Sequence, residues 1–244
     1  MSYFIDDVMQ KIYFRADASA TIGYGHFIHT LALADMLKDD FDCTFFTCHP
    51  TSYQVSEMEK VCPFIPLQEE THSADFLSHL QGDEIVVLDN YFFTTDYQRA
   101  IKQKGCRLVC VDDMHDKHYV ADVVINHTLT DSGLFDVEPY TKLCLGFDWA
   151  LLRRPFIEAV NKLCSCAKRT ESITITFGGV ASFDFTGHYI REAMQLPTVS
   201  QITAVVGDAY QPQKPRVRDR RVSYCSNLTA VSYTHLRAHE TAAN

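Results

Sequence analysis

The chain is predicted to be an α/β protein made of two Rossmann-like units, the second incomplete. Three observations carry this. Short β-branched or aromatic runs alternate with helix-patterned stretches as far as Gly146. Polar and glycine-bearing residues stand where the strand-like runs end, and a second strand–helix–strand set follows a polar segment. Such alternation gives right-handed βαβ units and a parallel sheet, because parallel neighbours need a crossover that a helix supplies.

The first strand is read at Lys11-Ile12-Tyr13-Phe14, followed by a loop from Arg15 to His26 and a helix over Phe27 to Lys38. Further strands are read over Cys43 to Cys48, Glu84 to Asp89, Arg107 to Asp112, Val123 to Asn126 and Leu143 to Gly146. Between them, Ser52 to Cys62, Ser73 to Leu80 and Thr95 to Lys104 carry helical spacing. After Phe147-Asp148-Trp149 and the Arg153-Arg154-Pro155 turn, the polar stretch Asn161 to Glu171 reads as a linker. The second unit starts with a strand over Ser172 to Phe177, a helix over Asp184 to Gln195 and a strand over Gln201 to Val206. This predicts an N-terminal domain over 1–160, a linker over 161–171 and a partial second domain over 172–230. The segment 231–244 reads as a read-through tail foreign to the fold.

The 244 residues carry 46% hydrophobic and 22% charged residues with a net charge of −9, the balance of a globular protein with an ordinary core. Basic residues cluster only in Lys214, Arg216, Arg218, Arg220 and Arg221, read as a solvated connection between strands, so nucleic acid is not an expected partner. No 18-residue apolar run and no signal peptide are found, which predicts no membrane association and a cytoplasmic location. The nine cysteines sit mostly in apolar strand-like runs, where reduced thiols pack as small hydrophobes. Cys164-Ser165-Cys166 has no partner motif for structural zinc.

Chemistry concentrates at strand C-termini, where open parallel sheets bind ligands. His26 ends a loop containing Gly23 and Gly25 and opens a helix. The positive end of a helix disfavours imidazolium, so His26 is expected to be neutral, on a solvent-facing loop, and able to act as a general base. The lesser alternative is that the glycines make a tight turn and His26 caps the helix. Asp89-Asn90-Tyr91, Asp112-Asp113 and Asn126 fall at other strand ends and converge on the same cleft. Asp89 and Asp113 are read foremost as loop caps.

Arg15-x-Asp17, Ile22-Gly23-x-Gly25-His26 and Leu31-Ala32-Leu33-Ala34 resemble the first motif of the PseG family. These are UDP-2,4-diacetamido-2,4,6-trideoxy-β-L-altropyranose hydrolases of pseudaminic acid synthesis. Val86 to Tyr91, Val111-Asp112-Asp113, Ala121 to Asn126 and Ile173 to Gly179 resemble its later motifs in order. The likeness covers roughly residues 10 to 230. His29 stands where the family usually has an arginine, and Leu151 to Phe156 approximates its Leu-Leu-Arg-Pro-Glu-Phe segment.

The resemblance implies a GT-B-like fold related to glycosyltransferases such as MurG. It also implies inverting hydrolysis of a UDP-sugar without a cofactor or metal, with His26 as catalytic base. Arg15, Asp17, Gly23, Gly25, Tyr91, Asn126, Gly178 and Gly179 become substrate-binding candidates, the last two cradling pyrophosphate. Arg15 and Asp17 are equally readable as a structural pair. Two other functions stay open. One is a GT-B glycosyltransferase using a UDP-sugar donor. The other is a metal-dependent sugar hydrolase or deacetylase, suggested by His26-x-x-His29 and by Asp112-Asp113-Met114-His115-Asp116-Lys117-His118. The oligomeric state and the sugar epimer are left open by the sequence.

Overall fold

The computed structural model describes residues 9–18, 23–160, 171–177, 185–206 and 216–225. Gly178, Gly179, Cys164-Ser165-Cys166, the linker over 161–170 and the 231–244 segment lie outside the described residues. The chain divides into two compact units, Met1–Arg154 and Pro155–Asn244.

The first unit is a seven-stranded, wholly parallel sheet. Its strands are β1 (Lys11–Ala16), β2 (Asp42–Cys48), β3 (Phe64–Leu67), β4 (Ile85–Asp89), β5 (Arg107–Val111), β7 (Val123–Asn126) and β9 (Lys142–Leu145). A separate two-stranded ribbon pairs β6 (His118–Tyr119) with β8 (Asp136–Val137). Helices α1 (Gly25–Leu37), α2 (Ser52–Met58), α3 (His72–His79) and α4 (Thr95–Gln103) connect the earlier strands. The spatial order is β3-β2-β1-β4-β5-β7-β9. Connections therefore leave β1 toward β2 on one side and return to β4 on the other, which makes the β1/β4 seam a topological switch point.

Buried parallel strands read as continuous apolar runs because helices cover both faces. The run Ile85-Val86-Val87-Leu88 in β4 fits that rule, and Val86, Val87 and Leu88 are all buried. Phe46, Phe76, Leu88, Ile101, Leu108 and Tyr119 form the centre of one core cluster. Each such side chain contributes about 1.5–3 kcal/mol on burial.

Local chemistry sets the helix starts. Thr51 and Gln54 form a capping box at α2: Thr51 Oγ1 accepts from Gln54 N at 3.3 Å and Gln54 Oε1 accepts from Thr51 N at 3.0 Å. Thr94 caps α4 by accepting from Tyr97 N. Before β4, Gly82 adopts φ +103°, and a Cβ there would sit 2.3 Å from the Lys104 carbonyl oxygen. Only glycine fits that approach.

Several boundaries differ from the sequence reading. β1 runs on through Arg15 and Ala16, which pair with Phe46 of β2 and Asp89 of β4, so these two residues are strand rather than loop. Helix α2 stops at Met58 rather than Cys62, in keeping with the bias of a pre-proline residue, here Cys62 before Pro63, against the helical region. β3 was not expected because Pro66 interrupts its pattern; it is the edge strand, where proline's missing N–H costs no sheet bond. The two-residue strands β6 and β8 are too short to show a period.

The second unit holds helix α5 (Arg154–Val160) at its boundary, β10 (Ser172–Thr176), α6 (Phe185–Ala193), β11 (Gln201–Val205) and β12 (Val222–Cys225). Its three described strands are parallel in the order β10-β11-β12. Ile175, Ile190, Ile202 and Ala204 are buried between sheet and helix. In the basic run, Arg221 pairs with Asp219, and Arg216 lies over the Tyr224 ring at 5.1 Å.

Candidate active site

The site is built at the β1/β4 switch point. Parallel pairing places Ala16 beside Asp89, so the chain ends of both strands open side by side. Gly23, at φ +82°, lets the returning chain turn into Tyr24 and then α1. Tyr24 gives α1 no side-chain cap, and its first turn has no acidic residue. A Cβ placed on Gly23 or Gly25 meets nothing within 4 Å. The first N–H groups of this 13-residue helix and its positive dipole end thus have no side-chain cap from Tyr24.

His26 lies in the first turn of α1 and is 8% exposed, not on a solvent-facing loop as the sequence suggested. Its Nδ1 is 2.6 Å from Asp89 Oδ1 at the end of β4. The carboxylate can only accept, so Nδ1 carries the proton and Nε2 is the basic atom. Thr30, one turn further along α1, donates to the other Asp89 oxygen at 3.0 Å. Asp89, 2% exposed, is thus engaged on both oxygens by α1 instead of capping its own loop.

The direction of the His26 pKa shift expected from the helix end also needs correction. Burial pushes its pKa down, but the Asp89 hydrogen bond and charge, helped by Asp113 and Asp112, outweigh this and raise it above the ordinary histidine value. A buried carboxylate in contact acts more strongly than a helix dipole felt through the backbone.

Tyr91 stands its ring edge-on to His26, with centroids 4.3 Å apart, and its hydroxyl donates to Asp113 Oδ2 at 3.2 Å. Burial, then Asp113, pushes the phenol up to about 12, so it stays protonated near neutrality. Tyr91 is 50% exposed and marks the open side of the cleft. Asp113 is therefore a partner of Tyr91, while the loop-capping role falls to Asp112, whose Oδ1 accepts from Met114 N and His115 N at 2.8 Å each. Lys117 at 3.1 Å from the other oxygen helps hold the Asp112 carboxyl below its usual range despite burial.

Arg15, Asp17 and Asn126 lie deeper. Arg15 is fully buried and grips Asp17 through two bonds of 2.5 and 2.7 Å, beneath the Phe93 ring. Asp17 Oδ1 also accepts from Cys48 N at the end of β2, and Asp17 N donates to Asn90 Oδ1 beyond β4. The pair thereby ties three strand ends together. Asn126 donates to the Asp112 carbonyl and accepts from Thr128 N and Leu129 N, which shapes the turn after β7.

The structure thus brings together His26, Asp89, Tyr91, Asp113 and the Gly23–Gly25 turn, and sets Arg15, Asp17 and Asn126 in the framework below. Thr30 was missed by sequence reasoning, although its i+4 spacing from His26 puts both on one helix face. His127 was missed as well: it follows Asn126, and its ring meets that of His29 edge-on at 5.0 Å. Among the described residues, no group of three or more histidine, cysteine, aspartate or glutamate side chains is arranged to hold a metal ion. No helix among them is long and apolar enough to cross a membrane. The seven described cysteines are free thiols.

No protein-family model matches the chain. It is 24% identical over 210 residues to the uncharacterized protein MJ1062 of Methanocaldococcus jannaschii, covering 82% of this chain and 43% of that protein. It is 27% identical over 157 residues to the UDP-2,4-diacetamido-2,4,6-trideoxy-β-L-altropyranose hydrolase of Campylobacter jejuni, covering 62% of this chain and 55% of the hydrolase. The chain thus spans about half the length of the curated relatives it matches. Among solved structures it resembles Anabaena Alr3699/HepE in complex with UDP-glucose, with a TM-score of 0.53, 14% identity and coverage of 88% of this chain and 68% of that one. The UDP complex of the same protein gives a TM-score of 0.55 at 12% identity, covering 89% and 69%. The fold is therefore of the α/β, GT-B-like class, with Rossmann-like units.

Proposed function

We propose that this chain acts on a UDP-linked sugar as a hydrolase. The substrate on this reading is a UDP-2,4-diacetamido-2,4,6-trideoxy sugar, split to UDP and the free sugar with inversion, as in pseudaminic acid synthesis. The observation that carries the proposal is the His26–Asp89 pair at the switch point. A histidine whose Nδ1–H is fixed by a buried carboxylate presents Nε2 as a base of defined direction. Support also comes from the likeness to the Campylobacter jejuni hydrolase and from the UDP and UDP-glucose held by the HepE complexes.

In this mechanism Nε2 of His26 takes a proton from water as the water oxygen bonds to the anomeric carbon. The bond from that carbon to the phosphate oxygen breaks, and its electron pair leaves with UDP. The proton stays on the ring, stabilised by Asp89, until product release. A positioned base of this kind contributes about 10² to 10⁴ in rate. The uncapped N–H groups around Gly25 act on leaving-group oxygens, and Gly178 and Gly179 are assigned to the pyrophosphate. Tyr91, as a neutral phenol, orients the sugar or the water. Arg15, Asp17 and Asn126 hold the walls in place.

The test is UDP release from the sugar nucleotide without an acceptor. Release without acceptor, abolished in His26→Asn, is the expected result. Turnover only when an acceptor sugar is present would make the protein a transferase, and loss in EDTA restored by Zn²⁺ would favour the metal-dependent reading.

A further inference from the structure

A pair of imidazoles borders the same cleft. His29 follows His26 by one turn of α1 and shares its face. His127 comes directly after the last residue of β7, and its ring packs edge-on to His29 at 5.0 Å. His127 Nδ1 is buried with no hydrogen-bond partner among the described residues. Buried polar atoms of this kind are nearly always partnered, so this one is suited to a ligand group.

We propose that His29 and His127 form the sugar-recognition element of the site, binding an uncharged polar substituent, a hydroxyl or an acetamido group, and not the diphosphate. This rests on the UDP-sugar reading above and names the part of the substrate that the pair takes. Three features choose the sugar over the phosphates. Asp113 and Asp89 lie beside His127; Asp89 is paired with His26, and Asp113 accepts from the Tyr91 hydroxyl. The Asp113 carboxylate beside His127 disfavours a diphosphate at this pair. Burial, and then the neighbouring His29, lower the His127 pKa against the opposing pull of Asp113 and Asp89, so the ring is neutral. A neutral imidazole offers one donor and one acceptor, and a hydroxyl or an amide can use both, whereas an ionised phosphate oxygen only accepts.

The test is an imidazole NMR titration of the full chain with three probes: a free N-acetylated amino sugar, UDP, and inorganic phosphate. The expected result is that the N-acetylated sugar shifts the His29 and His127 resonances and that UDP and phosphate leave them in place. His127→Phe keeps the ring volume without the polar atoms and should weaken sugar binding about tenfold, with UDP binding unchanged and His127→Gln recovering part of the loss. Shifts of His127 by phosphate or UDP comparable to those by the sugar, or no response to the sugar, would overturn the proposal. If the sugar moves this pair but no UDP is ever released without acceptor, the hydrolase reading fails and the recognition element stands.

Discussion

His26 Nδ1 lies 2.6 Å from Asp89 Oδ1, and Asp89 reaches a second α1 side chain, Thr30, through its other oxygen. One carboxylate at the end of β4 therefore both fastens α1 to the sheet and sets the direction of the base. His26→Ala is expected to lower UDP release by about 10² to 10⁴. Because the ring is buried against Asp89, the variant should also be less stable, which thermal unfolding beside the rate assay would reveal. Normal turnover would remove His26 from the mechanism.

Asp89→Asn should lower the His26 pKa, since the group that raises it loses its charge. The acid limb of the pH–rate profile, where the base becomes protonated, should move to lower pH while the maximal rate drops. The sign for stability follows from the raised pKa in the folded state. The contribution of charged His26 is complete below the unfolded-state pKa and disappears as pH rises through the folded-state value. The stability lost in Asp89→Asn should therefore be larger in acid than in alkali. An NMR titration of His26 that is the same in both proteins would contradict this.

Arg15→Met separates a framework role from a ligand-binding one. Removing one partner of a buried ion pair costs about 3–5 kcal/mol, and here it leaves Asp17 uncompensated among the ends of β1, β2 and β4. Chemical denaturation should show a loss of that order. A variant as stable as the parent but weak in substrate binding would return Arg15 to the ligand.

At the glycine turn the two positions should behave differently. Gly25→Ala falls at the start of a helix with open space around it, so the fold should tolerate it while a methyl group at the α1 N-terminus raises KM. Gly23→Ala must hold φ near +82°, which costs roughly 1–2 kcal/mol. Comparing melting temperatures with KM for the two variants checks this.

The parallel α/β architecture was legible in the sequence because buried parallel strands are apolar along their whole length and helices carry a 3.6-residue period. Ile85-Val86-Val87-Leu88 and Thr95 to Gln103 show these patterns directly. The strand ends bearing Asp89, Tyr91, Asp113 and Asn126 could be named for the same reason, as ligands gather at strand C-termini. What the sequence could not supply is which of those groups touch. Asp89 and His26 are 63 residues apart, and only the strand order β2-β1-β4 carries them to one seam. That contact reverses the direction of the pKa shift expected from the helix end alone, because it sets a buried carboxylate against the ring. The same holds for Arg15 and Asp17: two residues apart in a polar motif they suit a substrate or each other equally, and the burial produced by packing β1 between β2 and β4 turns them toward each other. Sequence determined the elements and the chemical inventory of their ends; tertiary structure decided the pairings, since these depend on distances of a few ångströms between segments that local periodicity does not relate.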